Sequence, residues 1–188
     1  MCLDVGAKPD PDVKKLLATA TGSGVDMVKA LFGITSVRVG VLSNGVEEHK
    51  GDLLAKELNR LLREISRDDL SYVGFVRPDD IYEGVVDLVV TDGFSGNIAL
   101  LMAEGTADMY GHIIRTEYRQ PFTWRSPHKW FYAQMAGPFL SDVKKRVNHQ
   151  VFNGAPVLGF DITVLKGHGS SDEVGFEALF EKAYLLAK

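Results

Sequence analysis

Apolar positions recur along the chain at two spacings, one typical of strands and one typical of helices. Val37, Val39 and Val41 alternate with other residues, which predicts a strand over Val37–Leu42. Leucines three and four positions apart predict an amphipathic helix over Leu53–Ile65. Further strands are expected over Met1–Val5, Tyr72–Val76, Val85–Thr91 and Asp161–Leu165, and further helices from near Asp12 and over Val25–Phe32, Ile98–Ile114 and Asp172–Leu186.

Strands and helices therefore alternate along 188 residues. This alternation is typical of a three-layer α/β/α domain, in which helices cover both faces of a mainly parallel sheet. The length fits a single domain, with room for an appended hairpin or lobe. Residues 115–150 depart from the pattern, because they begin irregularly, with Pro121 and Pro127, and become helical in patches.

The composition is that of an ordinary globular chain: apolar residues make up 45% and charged residues 24%, with a net charge of −4. No apolar run approaches the roughly 18–20 residues of a membrane span, and no secretory signal pattern opens the sequence. Cys2 is the single cysteine, so neither an internal disulfide nor a cysteine zinc cluster is expected, and a reducing cytoplasm fits. Cys2 is a poor candidate nucleophile, because no histidine lies near it in the sequence.

Positive charge and aromatic side chains are concentrated in residues 111–150. Seven lysines and arginines against two acidic residues give this segment a net charge of +5, so the rest of the chain has a net charge of −9. Such a surface suits anionic lipid headgroups or an acidic protein, or else its aromatic residues pack as a helical hairpin on the core or on a second copy. Nucleic-acid binding is not expected, because the overall charge is negative and no recognised module is present. The residues expected at a membrane or partner are Trp124, Trp130, Phe131, Lys144 and Lys145.

Three polar, glycine-containing loops follow predicted strands: Ser43–Gly51, Asp92–Asn97 and Lys166–Ser171. In a parallel sheet the strands end at the same edge, so these loops can meet in one cleft. Lysine ammonium groups and glycine N–H groups at helix N-termini favour a phosphate-like anion there. A plainer interpretation stays open, in which the glycines turn the chain and polar residues such as Asp92 cap the helices that follow.

Five segments resemble, in order and approximate spacing, the motifs of one family. They are Leu3–Ala7, Glu47–Gly51, Val90–Asn97, Phe152–Ala155 and Lys166–Ser171, of which the third and fifth contain the most specific motifs. The family is that of the phosphate acyltransferases of bacterial phospholipid synthesis (PlsX). The resemblance covers essentially the whole chain and corresponds to the C-terminal half of the family's members.

The resemblance implies a fold similar to that of isocitrate and isopropylmalate dehydrogenases and of phosphotransacetylases, with a helical tip over about 110–150. It implies that a long-chain acyl group moves from acyl carrier protein to inorganic phosphate, giving acyl phosphate. It further implies a homodimer in the cytoplasm, whose tip in some members rests on the inner face of the membrane. We expect neither a cofactor nor a metal.

For this reaction we hypothesise roles for residues within the cleft. Lys50, Asn97 and His168 are the expected catalytic residues: Lys50 or Asn97 stabilises the oxyanion, and His168 orients phosphate or protonates the leaving thiolate. No nucleophilic side chain is needed, because a phosphate oxygen attacks the thioester directly. The residues expected to bind phosphate or substrate are Asp92, Gly93, Ser95, Gly96, Asn153, Lys166, Gly167, Gly169 and Ser170.

The chain departs from the family at Lys8, where the family has asparagine, and at Val46, where it has an acidic residue. The other half of the family's members supplies further strands and another glycine-rich turn of the cleft, so a partner segment is expected to complete the site. Two alternatives stay open: a phosphotransacetylase-like enzyme that uses acyl-CoA, and a catalytically incomplete half-protein that only dimerises or binds membrane. A dehydrogenase is disfavoured, because the sequence has no cluster of metal-binding carboxylates.

Overall fold

The computed structural model describes residues 1–8, 11–118, 137, 154–160, 162–169 and 171–187. Strands and helices alternate in it much as the sequence predicts. The strands are β1 (Cys2–Leu3), β2 (Val37–Leu42), β3 (Leu70–Val76), β4 (Leu88–Val90), β5 (Ala155–Pro156) and β6 (Leu165–Lys166). The helices are α1 (Val13–Thr19), α2 (Val25–Phe32), α3 (Leu53–Arg63), α4 (Pro78–Tyr82), α5 (Gly93–Tyr118) and α6 (Glu173–Leu186), and a π-helical turn, Ala20–Gly24, joins α1 to α2.

The first four strands form a parallel sheet in the order β1-β4-β2-β3. β4 lies inside this sheet, where Val90 is aligned with Leu3 on one side and with Val41 on the other. All three residues of β4 are buried, as expected for an interior parallel strand covered on both faces. The predicted α/β class with a mainly parallel sheet is therefore confirmed, whereas the likeness to a particular dehydrogenase fold stays a prediction.

The core is divided between the two faces of the sheet. On one face, the side chains of Val39 and Leu88 belong to a large apolar cluster that also takes in α1, α2 and α3. On the other face, Val89 belongs to a smaller cluster with Val76 and Val86, against which Ile81 of α4 packs. This burial of apolar surface is the main favourable term holding helices and sheet together.

Several elements differ from the sequence predictions. The Asp92–Asn97 turn is the start of α5, so the helix begins at Gly93 rather than at Ile98. The strand predicted over Asp161–Leu165 is also displaced: β6 pairs antiparallel with β5 and lies outside the parallel sheet. The predicted tip over about 110–150 lies outside the described residues, apart from the end of α5 and residue 137. Among the described helices, none is long and apolar enough to cross a membrane.

Asp69, just before β3, ties that strand to the helices on one face of the sheet. Its carboxylate accepts hydrogen bonds from Arg67 at 2.9 and 2.8 Å and from Lys29 of α2 at 3.0 Å. Arg67 also donates to the carbonyl of Thr21 in the π-helical turn. The hydrogen bonds from Arg67, and then from Lys29, lower the pKa of the Asp69 carboxyl from 3.8 to about 2.

The substitution Asp69→Asn is expected to make unfolding less dependent on acid pH. Because the folded state lowers the pKa of Asp69, its stabilisation is complete above the unfolded pKa of about 4 and is lost as the pH falls towards about 2. The free energy of unfolding of the wild type should exceed that of the variant at neutral pH, and the difference should shrink between about pH 4 and pH 2. Urea unfolding at a series of pH values measures this, with Asp68→Asn at the exposed neighbour as the control. A difference that stays constant over this range would contradict the account.

Candidate functional site

A groove of about 1090 Å³ opens between α3 and α5 where the central strands end. Ser43 follows β2 and Asp92 follows β4, so parallel pairing brings both residues to the same edge of the sheet. The polar end of the groove is lined by Ser43, Asn44, His49, Lys50, Asp52, Thr91, Asp92 and Ser95. The structure thus brings two of the three predicted loops together.

The loop between β2 and α3 is folded tightly and carries Lys50 to the groove. The Asn44 side chain accepts a hydrogen bond from the N–H of Gly51 at 3.0 Å, and the N–H of Lys50 donates to the Glu47 carbonyl at 2.9 Å. A Cβ at Gly45 would lie 2.6 Å from Glu47 Oε2 and 2.9 Å from Lys50 Cγ, so the side chains of Glu47 and Lys50 pack closely over this bend. The result is a cationic side chain held at the carboxyl edge of the sheet.

The surroundings of this loop lower the pKa of the Glu47 carboxyl. Its pKa is lowered first by a hydrogen bond from its own backbone N–H and then by the nearby charges of Lys50 and His49. Among the described residues, however, no carboxylate forms a salt bridge with Lys50. Its ammonium group therefore remains available for an anionic ligand in the groove.

Asp92 is the N-cap of α5, which is the plainer of the two interpretations that the sequence left open. Its Oδ1 accepts hydrogen bonds from the N–H groups of Phe94 at 2.8 Å and Ser95 at 2.7 Å. The N–H of Gly93 donates to the Lys8 carbonyl, and that of Gly96 donates to the Asp92 carbonyl. The N–H groups of residues 93–96 are thus engaged within the chain, so an anion in the groove must be held mainly by side chains.

The glycines of the first turn of α5 admit the loop that follows β1. A Cβ at Gly96 would lie 2.3 Å from the Asp4 carbonyl oxygen, and one at Gly93 would lie 2.7 Å from Asp4 Oδ1 and from the Lys8 carbonyl oxygen. The Asp4 carboxylate holds the loop in shape by accepting from the N–H of Ala7 at 2.7 Å. These two glycines therefore serve close packing in this structure, and neither lines the groove.

Away from the sheet, the groove becomes apolar. One face of α5 lines the groove for more than three helical turns. Its lining residues stand three or four positions apart, and several of them are small. The opposite wall comes from α3 and α4. The residues of these walls are Leu54, Ala55 and Leu58 of α3, Pro78 and Tyr82 of α4, and Ile98, Ala99, Met102, Ala103, Thr106, Ala107 and Tyr110 of α5.

Of the predicted site residues, Lys50, Asp92 and Ser95 are brought together in the groove. Asn97 lies on another side of α5, where its Oδ1 would be 3.3 Å from a Cβ at Gly6. Within the described chain, the groove lining does not include Lys166, the last residue of β6, nor Gly167, His168 or Gly169, which follow that strand. The backbone carbonyl of His168 accepts from Ser171 N at 3.1 Å, in the turn before α6. The remaining predicted residues Asn153, Ser170, Trp124, Trp130, Phe131, Lys144 and Lys145 lie outside the described residues.

Sequence reasoning placed Ser43 and Asn44 in a cleft loop without assigning them a role, and it did not identify Tyr82 as a lining residue. A role for Ser43 and Asn44 had a usable signal, because they are the first polar residues after a strand with alternating valines. Tyr82 had none, since the five-residue helix α4 is too short to show a hydrophobic period.

The fold and the groove define an α/β protein with a groove at the carboxyl edge of its parallel sheet, polar at one end and apolar along its length. The chain belongs to the fatty acid synthesis protein family, whose model matches residues 1–188.

Relatives in this family are named phosphate acyltransferase. The chain is 40% identical over 186 residues to the protein of Rhizobium leguminosarum bv. trifolii, covering 99% of this chain and 52% of that relative. It is also 40% identical over 187 residues to the protein of Albidiferax ferrireducens, with the same two coverages. For Methylocella silvestris the identity is 40% over 186 residues, covering 99% of this chain and 49% of the relative. The chain thus spans about half the length of these relatives.

The substitution Gly96→Ala is expected to lower the free energy of unfolding by about 1–3 kcal/mol, as overpacking does. The new methyl group would lie 2.3 Å from the Asp4 carbonyl oxygen and 2.7 Å from Thr91 Cγ2. Gly105→Ala is the matched control on the same helix, because nothing lies within 4 Å of its Cβ position. It should leave stability unchanged or raise it by roughly 0.5–1 kcal/mol. Urea unfolding compares the two, and equal effects would refute the close approach at Gly96.

Proposed function

We propose that this chain supplies one wall of a phosphate acyltransferase, which moves a fatty acyl group from acyl carrier protein to inorganic phosphate. The observation that carries the proposal is the division of the groove into a polar end at the strand termini and an apolar length along α5. A linear acyl chain with a reactive carbonyl at one end has the same division. The name shared by the relatives supports this reaction class.

In the proposed reaction, a phosphate oxygen attacks the thioester carbonyl carbon. A C–O bond forms, the C–S bond breaks, and the carrier leaves as a thiolate that takes up a proton. Lys50 holds phosphate or stabilises the oxyanion, and Ser95 lines the same groove. Asp92 repels the phosphate little, because its carboxylate is directed towards the N–H groups of its own helix.

The other proposed participants act from outside the groove lining. His168 and Asn97 stay candidate catalytic residues, and the Lys166–Ser170 segment and Asn153 stay candidate phosphate-binding residues. We infer that a further segment or a second copy completes the cleft, in keeping with the half-length match to the relatives. We further propose that the protein is a homodimer that works in the cytoplasm. Its basic segment over about 110–150 then contacts the acidic carrier protein or the inner face of the membrane.

The substitution Lys50→Ala is expected to reduce acyl phosphate formation about 100-fold, the usual effect of losing one oxyanion donor. The assay supplies the purified chain with palmitoyl carrier protein and inorganic phosphate, and a parallel assay with palmitoyl-CoA identifies the acyl donor. Lys56→Ala, an exposed lysine of α3 outside the groove lining, is the matched control and should retain wild-type turnover. His168→Ala tests the separate assignment of that residue.

Turnover that survives both Lys50→Ala and His168→Ala would overturn these roles. Faster turnover with palmitoyl-CoA than with the carrier thioester would favour the phosphotransacetylase-like alternative. Phosphate binding without turnover would favour the half-protein alternative, in which this chain contributes a binding surface alone.

The substitution Ala103→Phe is expected to weaken binding of long acyl chains selectively. Ala103 lines the groove eight residues after Ser95, which is about 12 Å further along the helix axis. A palmitoyl chain extends past this point, whereas an octanoyl chain does not. Each methylene displaced to water loses about 0.8 kcal/mol, so palmitate should lose roughly tenfold or more in affinity and octanoate little.

Displacement of a fluorescent fatty-acid probe by palmitate and by octanoate measures this selectivity. Leu101→Phe, an exposed position of α5 outside the groove lining, is the control for adding an aromatic ring to the helix. An equal loss for the two acids in Ala103→Phe, or the same selectivity in Leu101→Phe, would place the acyl chain elsewhere.

A further inference from the structure

Ser43 has a buried hydroxyl group that finds no partner in the part of the chain that the structure describes. The residue is 7% exposed and stands directly after β2. Its backbone is satisfied, since its N–H donates to the Val76 carbonyl at 2.9 Å. Buried hydroxyl groups in folded proteins are nearly always hydrogen-bonded, so this one calls for an explanation.

One neighbour of the Ser43 hydroxyl, the backbone N–H of Gly51, is engaged with another group. The N–H of Gly51 donates to the Asn44 side chain at 3.0 Å. A Cβ at Gly51 would lie 3.3 Å from Ser43 Oγ, and the φ of +80° at Gly51 disfavours any side chain there. The Ser43 hydroxyl therefore lies beside the bare α-carbon of Gly51, a residue that lines the groove as Ser43 does.

Ser43, Gly51 and Lys50 all line the polar end of the same groove. α3 begins two residues after Gly51, so the positive end of its dipole adds to the charge of Lys50. Asp52 also lines this end, but its carboxylate caps α3 by accepting from Ala55 N at 2.7 Å. The field at this corner therefore favours a negatively charged ligand.

We propose that Ser43 is a phosphate-binding residue, whose hydroxyl donates a hydrogen bond to an oxygen of the phosphate held by Lys50. The proposal rests on the function proposed above and adds a residue that neither the motifs nor the comparisons assign. A serine hydroxyl has one donor and can take three staggered positions, so rotation about the Cα–Cβ bond turns it into the groove without moving the backbone. The unmet hydrogen bond of the ligand-free chain is then made to the ligand.

The substitution Ser43→Ala distinguishes this role from a structural one, because two properties should change in opposite directions. Affinity for inorganic phosphate should fall roughly tenfold, the usual loss for a hydrogen bond to a charged group. The urea midpoint should stay the same or rise, since a buried hydroxyl without a partner is removed. Phosphorus NMR titration of the full chain measures the first property, and urea unfolding measures the second.

Three further variants complete the experiment. Ser43→Cys keeps the side-chain size but has only a weak donor, so it should lose affinity as Ser43→Ala does. Ser71→Ala removes an exposed serine near the amino end of β3, away from the carboxyl edge where the groove lies. This variant should bind phosphate as the wild type does. Lys50→Ala should abolish binding if the proposed phosphate site is correct.

Each outcome decides the proposal. Wild-type affinity in Ser43→Ala, together with loss of binding in Lys50→Ala, would show that Ser43 meets a structural water only and would leave the phosphate site intact. A lowered urea midpoint in Ser43→Ala would assign the residue a structural role and overturn the proposal. Absence of phosphate binding by the wild type would overturn both this proposal and the phosphate site on which it rests.

Discussion

The pairing of β4 between β1 and β2 is the constraint on which the rest of the structure depends. Its three residues are buried, so this strand has little freedom to slip or tilt without exposing apolar surface. Because Asp92 follows it at the carboxyl edge, the position of β4 also fixes where α5 begins. The loop carrying Lys50 is fixed in the same way by β2, the neighbouring strand. The polar end of the groove is therefore a direct result of parallel pairing in the centre of the sheet.

The first turn of α5 shows how a motif can serve the scaffold and the site at once. Gly93 and Gly96 accept the loop after β1 at distances that no other residue would allow, and Asp92 engages two N–H groups of the helix. What this turn offers the groove is the side chain of Ser95 and a fixed starting point for the apolar wall. The N–H groups that the sequence offered as an anion site are thus engaged by the protein itself, so in the proposed site cationic and hydroxyl side chains bind the anion.

The sequence was informative where a hydrophobic period was long enough to detect. The bounds of β2 and α2 agree with the prediction, because alternating valines and a helical apolar face extend over several residues in each. The start of α5 was missed because its first turn contains two glycines, which are poor helix formers and are retained for close packing. Which side of α5 Asn97 occupies could not be predicted, because that depends on the β1 loop, a contact between residues some ninety positions apart. For the same reason, the sequence predicted lining residues at the polar end of the groove but not those of its apolar walls.

The long helix α5 joins two regions under different physical demands. Its N-terminal turn is fixed by glycine packing and capping, so substitutions there disturb the fold. Its later groove face, with Ala99, Ala103 and Ala107, is not buried in the core and bears little on folding. Changes in side-chain size at these positions can therefore accumulate at small cost in stability. If the groove binds an acyl chain as proposed, such a helix would let the preferred chain length change while the polar end of the groove stays the same, so selectivity could evolve separately from the chemistry.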